Sequence, residues 1–212
     1  MNNRTTPYPD REIINRWAIA EIGPGISGIL SAKGLMRPDA DRCIGFFYVD
    51  HEDGITYRIH SLCRLEPGKP PEIVVNFENH GEGLILHSDE VGAYTLLSND
   101  EANRLSLLEE QRWLIYYEPE VLQAVRKRGD LDRFRAPGCF DDVSVILVSK
   151  DRETIPEGVW VRLEGQSDDG ASLRGTLLNE PYSDFGVHEG EMVTVRFAEG
   201  EEGRFLVAEM GS

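Results

Sequence analysis

The chain predicts an α+β fold, an antiparallel sheet with a helical hairpin followed by a small SH3-like β-barrel, and three patterns carry that expectation. Alternating apolar runs separated by turn residues fill 43–87; the hydrophobic period becomes helical between Ser98 and Lys127; short alternating runs resume from Gly158 to the end. A charged segment closed by Pro156 has the character of a linker or a strand-to-strand crossover, so the boundary between an α+β domain (1–150) and an all-β barrel domain (151–212) is expected there.

Elements follow in order. Residues 1–9 are polar with prolines at 7 and 9 and form an arm or entry turn. Asp10 is placed to cap a short helical turn through Trp17. Ile19, Ile22, Ile26, Ile29 and Leu30 follow, but Gly23, Pro24, Gly25 and Gly28 break helical regularity, which predicts a strand and then a glycine-rich connection. Residues 43–50 and 55–62 alternate around Asp53-Gly54, the signature of a β-hairpin. Pro67, Pro70 and Pro71 end it, and 72–77 and 83–87 read as two further strands.

Ser98-Asn99-Asp100-Glu101 is a capping box and starts a helix whose apolar face carries Leu105, Leu108, Trp113 and Ile115, with Glu109, Glu110 and Arg112 outward. Pro119 restarts it, giving a second helix over 120–127 that stops at Gly129. Val143, Val145, Ile146, Leu147 and Val148 form a central strand that closes the first domain. In the barrel, Val159, Val161 and Leu163 alternate with Trp160 and Arg162, Asp169-Gly170 turns the chain, and strands return over 173–178, 192–197 and 204–207.

The composition limits function. The chain has 212 residues, 40% of them hydrophobic, enough for a core in one or two domains. Its 38 acidic residues against 22 basic ones leave a net charge of −16, which opposes the counterion displacement that phosphate backbones demand, so nucleic acid is not an expected ligand. The acid excess serves solubility or attracts a basic protein partner. The start, Met1-Asn2-Asn3-Arg4, is polar and no apolar run nears the roughly 18 residues of a span, so no membrane association and a cytoplasmic location are expected. Cys43, Cys63 and Cys139 lack metal spacing and read as reduced thiols; Cys43 is a core residue, and Cys43 and Cys63 could sit on neighbouring strands.

Val159-Trp160-Val161, then Gly175-Thr176-Leu177-Leu178-Asn179-Glu180-Pro181, then Gly190-Glu191-Met192-Val193, resembles the outline of a bacterial domain family of unknown function, the DUF2314 group, and implies a compact β module without a known reaction. Over less of the chain, Tyr94-Thr95-Leu96-Leu97-Ser98-Asn99-Asp100-Glu101-Ala102 with Val121-Leu122-Gln123-Ala124-Val125 is similar to suppressor-of-fused-like domains of bacterial immunity proteins, and implies a protein-binding role such as neutralising a toxin.

Chemical motifs are sparse. Gly23-Pro24-Gly25-Ile26-Ser27-Gly28 lacks the lysine and hydroxyl of a phosphate loop. No nucleophile elbow or cysteine–histidine signature occurs. His51, His60, His80, His87 and His188 are scattered; His80 with His87 and Glu78 or Glu82 is the one imaginable metal group, and the spacing favours solvated loops. Asp50, Glu52 and Asp53 lack the closing glutamate of a twelve-residue calcium loop and suit a hairpin tip. No cofactor or metal is expected.

The best place for recognition is the loop carrying Asn179, Glu180, Tyr182, Asp184 and Phe185, two aromatics and two acids between barrel strands. The competing role for Tyr182 and Phe185 is to plug the barrel end. The expected function is a non-enzymatic protein-binding module, immunity-like or accessory; the alternative is an enzyme with dispersed acids and His60 or His87 in an interdomain cleft. The oligomeric state is not legible in the residues.

Overall fold

A computed structural model describes residues 8–77, 83–108, 112–150, 154–201 and 203–211. The chain divides into two compact units, Met1–Tyr117 and Glu118–Ser212.

The first unit carries α1 (Asp10–Ile13), β1 (Arg16–Glu21), α2 (Pro24–Ala32), β2 (Arg42–Asp50), β3 (Gly54–Arg64), β4 (Glu72–Asn76), β5 (Ile85–His87), β6 (Tyr94–Leu96) and α3 (Asn99–Arg104). Among the described residues its strands form one antiparallel six-stranded sheet ordered β4-β3-β2-β1-β6, with β5 also paired to β3. The expected β2–β3 hairpin is present: Asp50 pairs with Gly54, whose φ is 88°, and Asp50 Oδ1 accepts from the amides of Glu52 and Asp53 at 3.0 and 3.2 Å. That carboxylate organises the hairpin tip.

Strand β2 is buried on both faces, which explains its unbroken apolar run. Ile44, Phe46 and Tyr48 join Trp17 and Leu97 under α3 and the 3-10 turn Arg112–Tyr116. On the opposite face Tyr57 lies across Gly45, where an added Cβ would sit 2.4 Å from the ring and 2.5 Å from the Arg58 carbonyl. Its hydroxyl donates to the Ala18 carbonyl at 3.1 Å.

Two expectations here are corrected. Trp17 belongs to β1 rather than to a helical turn, and α1 is a single turn with Pro9, not Asp10, at its N-cap. The glycine-rich run forms α2: Pro24 sits in its first turn, where a missing amide costs nothing, Ile26 and Leu30 make a buried i, i+4 stripe, and Gly25 allows the helix to meet the Glu90 backbone, whose oxygen would be 2.4 Å from an added Cβ.

The Ser98 capping box forms as expected, with Ser98 N donating to Glu101 Oε2 at 2.8 Å. The helix is shorter than its apolar pattern suggests. Ser106 takes φ 57°, and the Ser106 and Leu107 amides return to the Asn103 and Ala102 carbonyls, a Schellman ending formed without the customary glycine.

The second unit carries α4 (Glu120–Arg126), β7 (Arg135–Ala136), β8 (Cys139–Ser149), β9 (Glu157–Gln166), β10 (Ser172–Leu177), β11 (Met192–Gly200) and β12 (Gly203–Met210). Strands β8 to β12 pair in succession, and β12 returns parallel to β8 through Val207 opposite Ile146, closing a five-stranded barrel. Val143, Val145, Val161, Leu163, Val195 and Leu206 fill it.

The expected boundary at 150 therefore moves to 117/118. Val145 pairs with Val159, so the segment ending at Pro156 joins two strands of one barrel instead of two domains. The two expected helices fall one in each unit, α3 in the first and α4 in the second, where α4 packs on β9 with Val121 against Gly165.

Candidate functional site

The connection 178–191 leaves β10 and enters β11, and side-chain oxygens of its own residues and of Glu157 on β9 set its conformation. Asn179 Oδ1 accepts from the Trp160 amide at 2.8 Å, holding the start of the loop against β9. Glu157 reaches across with both oxygens, accepting from the amides of Tyr182 at 2.7 Å and Ser183 at 3.2 Å. Glu180 takes His188 Nδ1 at 2.8 Å on one oxygen and the Glu189 amide at 2.9 Å on the other. Asp184 accepts from the Gly186 amide at 2.9 Å. Charge-assisted bonds of this kind hold an exposed loop in one shape.

The two aromatic residues of the loop separate. Phe185 is buried with Val187 in the barrel core, so it is a plug and not a contact residue. Tyr182 is 100% exposed. Asn179, Glu180 and Asp184 are engaged in the loop's hydrogen bonds and shape the surface that presents Tyr182.

Further large apolar side chains face outward on the same unit: Ile155 is 81% exposed, Met192 58% and Trp160 42%. Trp160 and Met192 are outward by strand alternation, because Val159, Val161, Val193 and Val195 occupy the inward positions. Ile155 is two residues from Glu157, which holds Tyr182, and Trp160 is tied to the same loop by Asn179. These three residues were absent from the sequence-derived site. For Trp160 and Met192 the signal available was a large apolar residue in the outward phase of a barrel strand; Ile155 precedes β9 and carried no such signal.

Electrostatics at the loop follow from the His188–Glu180 pair. The carboxylate raises the His188 pKa above its ordinary value, with Glu191 and Asp184 adding to it, and the histidine in turn lowers that of Glu180. Elsewhere in the second unit Arg126 pairs with Asp141, Arg128 with Asp130, Arg162 with Asp142 and Arg196 with Glu209.

Other sequence candidates fall elsewhere. His60 packs edge-on to Trp17 at 5.2 Å between ring centroids, and His87 Nδ1 lies 2.7 Å from Asp89. His80, Glu78 and Glu82 lie outside the described residues, among which no group of three or more His, Cys, Asp or Glu is arranged to hold a metal ion. Cys43 and Cys63 do lie on adjacent strands, but Cys43 is opposite Leu62 and contacts the Tyr57 hydroxyl, while Cys63 belongs to the cluster on the other face. Burial pushes the Cys43 thiol up to about 12 and the Cys63 thiol to about 11, the reverse of nucleophile activation.

Among the described residues no helix is long and apolar enough to cross a membrane. Comparison with protein-family models, with curated proteins and with solved structures found no match.

Proposed function

We propose that the protein is a cytoplasmic, non-enzymatic protein-binding module, immunity-like or accessory in role, whose SH3-like barrel docks a basic protein partner. Membership of the DUF2314 group is part of this reading. The carrying observation is Tyr182, wholly exposed on a backbone that Glu157 clamps through two amides. A rigid exposed tyrosine loses little side-chain entropy on binding and supplies a large amphipathic contact. Trp160 and Met192 add residue types that interface centres favour, and Ile155 a further exposed apolar side chain. Glu180, Asp184, Glu189 and Glu191 give the loop an acidic character that steers a basic partner and repels nucleic acid.

Affinity capture with the native chain and with Tyr182→Ala, each at low and high salt, tests the reading. The expected result is one basic protein retained by the native chain, released as salt screens the acids, and lost with Tyr182→Ala. Retention unchanged by both salt and substitution, or turnover of a small substrate by the chain, would overturn it.

A further inference from the structure

The outward face of the barrel carries a row of apolar side chains that runs from β9 across β10 to β11. Trp160 on β9 and Met192 on β11 are its exposed ends. Between them the ladder continues past the end of β10: the Leu178 amide donates to the Trp160 carbonyl at 2.9 Å, one position beyond the inward pair Leu177 and Val161. Alternation therefore puts Leu178 outward beside Trp160, and it is only half-buried. Met192 pairs with Thr176 and so lies diagonally from Leu178. Strand spacing and this diagonal offset set Trp160 and Met192 roughly 12 Å apart. Gly158, the preceding outward position on β9, leaves open space beside Trp160, since an added Cβ would meet nothing within 4 Å.

The flanks of the row are anionic. Glu157 and Glu191 accept from backbone amides, those of Tyr182 and Ser183 and that of His188, and an amide removes no net charge. Glu180 holds His188, and neither lysine nor arginine occurs between Arg174 and Arg196. Arg162, the next outward residue of β9, forms a neutral pair with Asp142. The backbone here is fully used: β9 lies between β8 and β10, β10 between β9 and β11, and β11 between β10 and β12. No strand edge is open at the row, so whatever docks there meets side chains.

We infer that this row docks an amphipathic helix of the basic partner, with the helix's apolar stripe on Trp160, Leu178 and Met192 and its lysines or arginines towards Glu157 and Glu191; the inference rests on the protein-binding role proposed above. Two turns of helix rise about 11 Å, which matches the length of the row, and an apolar stripe at i, i+4 and i+7 supplies one anchor for each of the three side chains. A helix satisfies its own backbone and needs only a side-chain surface, whereas an extended segment is recognised by adding to a sheet edge that this face does not offer. The open space at Gly158 receives an anchor side chain beside Trp160. The acids select a helix with basic flanks and steer its approach.

The test is titration of the full chain with a leucine–lysine peptide of about fourteen residues whose leucines follow helical spacing, compared with a peptide of the same composition in strict alternation. NMR signals of the Trp160 indole and the Met192 methyl report the place of binding, and polarisation of the labelled peptides reports affinity. The helically spaced peptide is expected to shift both signals and to bind about tenfold more tightly than the alternating one. Trp160→Ala is expected to weaken it about tenfold. Met192→Glu, at an exposed position that the fold tolerates, adds a negative charge but removes an anchor, and is also expected to weaken the helical peptide about tenfold; attraction by charge alone would instead strengthen it. The inference is overturned by equal affinity for the two peptides, by absence of shifts at Trp160 and Met192 at about 1 mM peptide, or by tighter binding to Met192→Glu. The protein-binding role stands or falls separately, on capture of a basic protein through Tyr182.

Discussion

Arg126 and Asp141 form a two-pronged ion pair inside the second unit, with Nη2 to Oδ2 at 2.6 Å and Nε to Oδ1 at 2.9 Å. Both side chains are buried, so the pair ties the last residue of α4 to β8 where water does not screen it. The helix and the strand belong to one unit for this reason as well as for their packing.

Asp141→Ala leaves a buried guanidinium without its carboxylate and is expected to destabilise the second unit by about 3–5 kcal/mol. Replacing both partners by Met and Leu should recover most of the loss, because two desolvated charges disappear together. Thermal and urea denaturation measure both variants; a single variant as stable as the native chain would contradict the pairing.

Phe185→Ala should cost about 3–5 kcal/mol by opening a cavity in the barrel core. Tyr182→Ala should change stability by no more than about 0.5 kcal/mol, since its side chain is fully exposed. The contrast, read from two melting curves, separates the plug from the contact residue within one loop.

Gly45 is required by the ring of Tyr57. An alanine there would place Cβ 2.4 Å from Tyr57 Cζ and 2.5 Å from the Arg58 carbonyl oxygen, and the backbone oxygen cannot swing aside. Gly45→Ala is expected to lower the stability of the first unit by about 1–3 kcal/mol, measured by chemical denaturation.

The loop clamp depends on pH with a definite sign. His188 has a raised pKa, so its contribution is complete below the ordinary 6.5 and is lost as pH rises through the raised value. Glu180 has a lowered pKa, so its contribution is complete above 4.5 and is lost as pH falls through the lowered value. The clamp is strongest between those limits. NMR titration should give a His188 midpoint above 6.5 that falls towards it in Glu180→Gln; an unchanged midpoint in the variant would refute the pairing.

Thiol labelling of the native chain should modify Cys139, which is partly exposed, well before Cys43 and Cys63, whose thiols are buried and pushed up. Denaturant should equalise the three. Mass spectrometry of the labelled peptides reads the order.

The chain's local signals determined several elements directly. The β2–β3 hairpin follows from alternation around Asp53-Gly54, the start of α3 from the Ser98 capping box, and the inward set Val159, Val161 and Leu163 from period-two burial. Each is a short-range effect, a turn dihedral, a cap or a strand face, and needs no knowledge of distant residues. Tertiary contacts decided the rest. Gly25 and Pro24 look like helix breakers until the helix meets the Glu90 backbone, and α3 stops at Arg104, after which Ser106 takes a positive φ and Leu107 packs into the cluster with Trp17 and Leu97. Strand β8 belongs to the barrel because Ile146 pairs with Val207, about sixty residues later, a long-range choice that no local pattern encodes. The same holds for the loop: its composition marks 179–185 as a surface, but only the packed barrel turns Phe185 inward and leaves Tyr182 in water, because the Phe185 ring joins the barrel core while Glu157 fixes the backbone amide of Tyr182, whose side chain stays exposed.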